Sequence, residues 1–215
     1  MLTVKQCICR LRGLTMVGLL LYARSRRLIA AATAVVGAQL LGIVLGTRSF
    51  RISNYSETAV PWLVFLPLIS AIIIGTSMRS PLTEFDATAR RLLSIWRVAQ
   101  LGVLSGLSTA GLILLSAGLS GPIGEIAAIR NFVGFVGLAL LSGFLLGGRL
   151  AWVLPLAVAI SAITLGNPVG NGFPWDWPVR FDGDFDAFAT ALILGFGATP
   201  AVIRGTREVR GDADG

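Results

Sequence analysis

Six apolar stretches, each without a single Asp, Glu, Lys or Arg, take up most of this chain: residues 28–46, 59–77, 98–118, 131–148, 150–166 and 187–203. Each holds 17 to 21 residues. A helix rises about 1.5 Å per residue, so such a stretch can cross a hydrocarbon layer of about 30 Å, the shortest only just. A backbone in lipid must satisfy its own hydrogen bonds, so these runs predict helices and not strands. The expected fold is all-α: a polytopic membrane protein with about six transmembrane helices. Only 13% of the residues are charged, about half the share of a soluble domain, and they gather between the apolar runs. The 215 residues leave room for one membrane domain and no second soluble one.

The connecting segments set the orientation. With residues 1–27 inside, 14 Lys and Arg lie on the cytoplasmic side, against Arg48, Arg51, Arg130 and Arg180 outside. Cytoplasmic loops retain basic residues, so both termini, including the tail 204–215, are expected in the cytoplasm of a cell membrane. The net charge of +7 flanks the apolar runs and does not form a separate basic face, which argues against a nucleic-acid partner and for the bilayer. In residues 1–27, Val4, Ile8, Leu11 and Thr15 recur at helical spacing, with Lys5, Gln6, Arg10 and Arg12 off that stripe. This pattern predicts an amphipathic helix at the membrane interface. A cleavable leader is not expected, because Arg24, Arg26 and Arg27 stand where a small-residue cleavage site would follow.

Several chemistries are excluded by residue type. The chain has no histidine, which removes Ser-His and Cys-His catalysis and histidine metal ligation. It has no G-x-x-x-x-G-K-[ST], and its spans carry no ionisable pair, so no enzymatic activity is expected. Cys7 and Cys9 lack a second pair to complete a zinc site. Asp182, Asp184 and Asp186 have calcium-loop spacing, but Ala187 and Ile193 stand where that loop needs glycine and glutamate. Pro67 and Pro155 are expected to kink or open their helices. The pairs Gly42 with Gly46, Gly102 with Gly106, and Gly143 with Gly147 are expected to bring helices of this chain together. The spans are expected to bury no acidic or basic group, so active transport would need its driving force from another subunit.

Two loops could carry function. The inner loop 78–97 reads MRSPLTEFDATARRLLSIWR. Ser80 before Pro81 and Thr83 before Asp86 are helix-start signals, and Asp86 stands four residues before Arg90. A short cytoplasmic helix is expected there. It would be either an interfacial linker anchored by Trp96 and Arg97 or a docking element for a cytosolic partner. The outer loop 167–186 is rich in Pro and Gly and carries Phe173, Trp175, Trp177 and Phe181, which suit the bilayer interface. It would be an aromatic-anchored cap or a lid over an exit path.

This order of parts resembles the membrane subunit of type-2 ABC exporters: an interfacial helix (4–20), six spans (within 28–203), a coupling helix between spans two and three (80–96), and an outer element between spans five and six (166–186). The resemblance implies a permease that pairs with a second permease chain, as homo- or heterodimer. It also implies docking of a cytosolic ATP-binding subunit through Glu84, Phe85, Asp86, Arg90 and Arg91, with an outer gate or lid at Phe173, Trp175, Trp177 and Phe181. This chain would hold no cofactor; ATP and magnesium would belong to the partner subunit. The alternative is a non-transporting membrane scaffold or immunity protein without an ATPase. The substrate stays open, because a glycine-rich apolar lining has no polar group to set specificity.

Overall fold

The computed structural model describes residues 28–45, 49–50, 60–61, 65–79, 90–118, 125–165, 175–180 and 183–204. Among these the architecture is helical: α1 Leu28–Leu45, α2 Phe65–Ser77, α3 Arg90–Gly118, α4 Glu125–Leu145, α5 Val153–Leu165, α6 Phe185–Gly197 and α7 Thr199–Arg204. The one exception is a two-residue antiparallel pairing of β1 Ser49–Phe50 with β2 Val60–Pro61. Three segments are long and apolar enough to cross a membrane: Ser94–Ser116, Ile126–Leu145 and Gly148–Leu165. The interfacial segment 1–27 and the tail beyond Arg204 lie outside the described residues.

The packing follows the logic of helices in lipid, with small or polar residues inward and bulky aliphatics outward. In α1 the buried positions are Ala31, Val35, Ala38, Gln39 and Gly42, while Ile29, Leu40, Leu41, Ile43 and Val44 are exposed. Helix α4 is the axis of the bundle and is buried along most of its length. It packs chiefly on α6 and α2, while α1 pairs with α3, which also touches α4 directly. The α4–α6 contact is backbone against backbone. A Cβ at Gly137 would overlap the Leu194 carbonyl and sit 2.7 Å from the Gly195 nitrogen, and one at Gly195 would reach Val133 Cγ1 at 2.8 Å.

The element boundaries correct several expectations. The second span does not run over 59–77: Val60 and Pro61 are extended and paired, and the helix starts at Phe65. The fourth begins at Glu125, six residues before the expected start, so Arg130 lies inside the helix. The last run is two helices, broken at Ala198 before Thr199 and Pro200. Residues 90–97 are not a separate loop helix but the first turns of α3, continuous with the third span.

Pro67 and Pro155 introduce no kink. Each is the third residue of its helix, where the backbone N–H would have no intrahelical acceptor. The ring of Pro67 is nevertheless fully buried, so Pro67→Ala is expected to cost about 1–2 kcal/mol in detergent, through lost packing and the freer unfolded chain rather than through any change in helix direction. The glycine pairs also sort differently. Gly42 meets the Leu66 side chain, whereas a Cβ on Gly102 or Gly106 would meet nothing within 4 Å, so these two do not join helices of this chain. Gly147 instead supplies the positive φ of 98° that ends α4 before the 3-10 turn Gly148–Leu150. Ser142 ties that turn down by donating to the Leu150 carbonyl at 2.6 Å.

Candidate functional site

The densest polar cluster among the described residues sits where α4 and α6 begin. It is built from two turns of α4 and a strap, residues 175–180, that crosses the end of the bundle. Asp176 precedes a single 3-10 turn, Trp177–Val179, closed by the Val179 N–H donating to the Asp176 carbonyl at 3.0 Å. Pro178 pre-sets the backbone of that turn. The turn points Trp177 inward and leaves Trp175 partly exposed.

Two side chains of α4 hold the strap by its carbonyls. Arg130 Nη2 donates to the Arg180 carbonyl at 2.9 Å, and Asn131 Nδ2 donates to the Pro178 carbonyl at 2.7 Å. Arg130 Nε also donates to Asn131 Oδ1 at 3.2 Å, which fixes the orientation of the amide. Both residues are 1% exposed. A buried guanidinium is tolerated only when its donors find acceptors, and the strap supplies one that no neighbour in sequence could.

The strap is also tied to α6. Arg180 Nε donates to Asp176 Oδ1 at 2.7 Å, and its Nη1 donates to Asp184 Oδ2 at 3.2 Å. Asp184 is the N-cap of α6, where its Oδ1 accepts from the Ala187 N–H at 3.1 Å. Both Asp184 oxygens are thus engaged by donors of this chain. Asp176 Oδ2 is buried and accepts no hydrogen bond.

Two titrations follow from this geometry. The Ala187 N–H pulls the Asp184 carboxyl below its ordinary value; desolvation opposes this, and the Arg180 charge adds to the lowering. Burial pushes the Arg180 guanidinium down, but Asp176 and Asp184 together outweigh burial and raise it above its ordinary value. A carboxylate with a lowered folded pKa contributes stability above its unfolded value of about 3.9, which is lost as pH falls through the folded value. The raised arginine loses its contribution only in strong alkali. The stability difference between the native chain and Asp184→Asn, which keeps a capping oxygen, should therefore be constant near neutrality, begin to shrink as pH approaches about 4, and vanish only below the lowered folded value. Asp184→Ala should cost about 1 kcal/mol at neutral pH through the lost cap. Thermal melts across pH check both.

Trp177 is the apolar half of the cluster. Its ring lies over Gly134, whose Cβ would stand 2.8 Å from Cζ2, and tilts 49° against Phe135 with centroids 5.1 Å apart. Beside it the strap residues Pro178 and Val179 close an apolar recess between α2 and α5, lined there by Phe65, Leu68, Ala159 and Ile163. The arrangement is a lock. Lifting the strap means drawing an indole out of a glycine slot and breaking two bonds to buried α4 side chains.

The residues expected to form sites fare unevenly. Of the four aromatics expected at the outer gate, Trp175 and Trp177 are on the strap, while Phe173 and Phe181 lie outside the described residues. Trp177 is not an interfacial anchor; it is core. Glu84, Phe85 and Asp86 also lie outside the described residues, and Arg90 and Arg91 are placed only as the helical backbone that opens α3. Arg97 is 9% exposed and buried at the helix entry, so it is not a surface anchor. The expectation that the spans bury no charged group fails at Arg97 and Arg130, which lie inside the segments Ser94–Ser116 and Ile126–Leu145; Asp176 is buried on the strap, outside them. Arg130 escaped it because a helix start read from hydropathy falls after the arginine, and its acceptor lies 50 residues away. Asp184 carried a usable signal, a capping residue just ahead of an apolar run. No protein-family model matches this chain, and no curated protein or solved structure is significantly similar to it.

Proposed function

We propose that this chain is the permease subunit of an ATP-driven exporter, with six membrane crossings formed by α1, α2, α3, α4, α5 and the α6–α7 pair. The N-terminal segment lies on the cytoplasmic face, and a second permease chain completes the path. The observation that carries the reading is the strap between α5 and α6. It closes the end of the bundle that the arginine bias assigns to the outside, and it is held by bonds that can be broken and remade as the helices move. A closure there is what a gate on an exit path needs.

The driving force would come from a cytosolic ATP-binding subunit carrying ATP and magnesium, docked on the loop between α2 and α3 through Glu84, Phe85, Asp86, Arg90 and Arg91. Phenylalanine and arginine are strong anchors at such interfaces, and Asp86 with Arg90 presents both signs of charge. Charge reversal at both positions, Asp86→Arg with Arg90→Glu, should abolish co-purification of an ATPase in mild detergent while membrane insertion is unchanged. Co-purification at the native level would remove the docking claim.

The same lock favours one other reading, a non-transporting scaffold or immunity protein in which the strap never opens. Thiol accessibility separates the two. With Cys7 and Cys9 replaced by serine, a cysteine replacing Ala159, buried in the recess under the strap, should react with an aqueous thiol reagent only when the partner turns over ATP if the strap is a gate, and under no condition if it is static.

A further inference from the structure

A second polar cluster lies inside the spans, where α1, α2 and α3 meet. Gln39 of α1 points between α2 and α3, where its Nε2 donates to Ser70 Oγ at 3.4 Å and to the Ser108 carbonyl at 3.5 Å. Both bonds are several tenths of an ångström longer than an ordinary N–H···O bond. The amide cannot be turned over, because that would set Oε1 against the Ser108 carbonyl, acceptor against acceptor. Oε1 therefore faces away, buried and accepting nothing, and Ser108 Oγ beside this junction is likewise buried without a partner. The third wall is Gly111. A Cβ there would stand 2.8 Å from Gln39 Cγ and 3.4 Å from Oε1, so only glycine leaves the amide its place.

We infer that the junction of Gln39, Ser70 and Ser108 binds a water molecule within the membrane-spanning bundle. The guest must donate a hydrogen bond, because Oε1 only accepts. It must be neutral, because the three side chains around it are neutral and the amide N–H already occupies one side. It must be small, because three helices meet there. Water donates to Gln39 Oε1 and pairs with the Ser108 hydroxyl, which satisfies both orphaned atoms with one molecule. A buried amide without such a partner is costly, and no surrounding lipid can supply the bond. The inference is independent of what the chain transports.

The test is water-edited solid-state NMR on the full chain in lipid bilayers. The side-chain amide signal of Gln39, assigned by its loss in Gln39→Leu, should build up from water about threefold or more faster than the backbone amides of Val35 and Leu112, which are buried on the same helices. In Ser108→Val the Gln39 signal should fall back to the rate of those two amides. A native Gln39 signal no faster than Val35 and Leu112 would overturn the inference and leave a direct Ser108 hydroxyl bond to the amide in its place. The native measurement decides this even where a variant fails to fold.

Discussion

Replacing Gly137 by valine should drive α4 and α6 apart and cost about 3 kcal/mol or more. The reason is the identity of the atoms that a side chain would strike. They are the Leu194 carbonyl and the Gly195 nitrogen, both backbone, and neither can rotate out of the way. The Leu194 carbonyl also accepts from the Ala198 N–H at 3.2 Å, at the break between α6 and α7, so displacing it disturbs that turn as well. Gly102→Ala and Gly106→Ala are the matched controls. Nothing stands within 4 Å of either position, and each should stay within about 0.5 kcal/mol of the native chain. Reversible unfolding in mixed micelles reads all three. Equal stability of Gly137→Val and the controls would mean that α4 and α6 do not meet as described.

The second large effect is at Trp177. Trp177→Ala should cost about 3–5 kcal/mol, through lost burial and the cavity left over Gly134. The pair should be strongly non-additive. Gly134→Ala alone forces a methyl group into the indole and destabilises; in the Trp177→Ala background the same methyl group enters the vacated space and recovers part of the loss. A double-mutant cycle measures the coupling. Independent effects would show that the indole does not occupy the glycine slot. Because Trp177 sits between Asp176 and Pro178, its removal should also loosen the Arg130 and Asn131 bonds to the strap. In an exporter that loosening would appear as solute leak without nucleotide.

These predictions rest on contacts of different legibility. The apolar runs could be read directly, because hydropathy is a local sum and lipid demands it over a fixed length. All six runs contain helix in the structure, although among the described residues three segments are long and apolar enough to span. The ends of the helices were harder to read. Val60 and Pro61 are as apolar as the helix that follows them, yet they pair with Ser49 and Phe50 in an extended bridge. Arg130 reads as a loop residue because it is charged, although its helix begins five residues earlier. Gln39 passes for an incidental polar residue in an apolar run until its neighbours on α2 and α3 are in place.

The aromatic loop makes the same point at one turn of chain. Trp175 and Trp177 have the same side chain, two residues apart, with the same claim on a membrane interface. One is 39% exposed and the other 1%. Composition cannot separate them. The 3-10 turn and the Gly134 slot on α4 do.

By itself the sequence determined that this chain forms apolar helices separated by arginine-bearing turns, since the cost of placing a residue in lipid depends on that residue and its neighbours. Only the tertiary structure decided which helix is central, which glycines allow contact, and that two arginines and two aspartates meet across a strap. Steric fit and hydrogen-bond satisfaction are properties of pairs, and here hydrogen-bonded partners lie up to 69 residues apart.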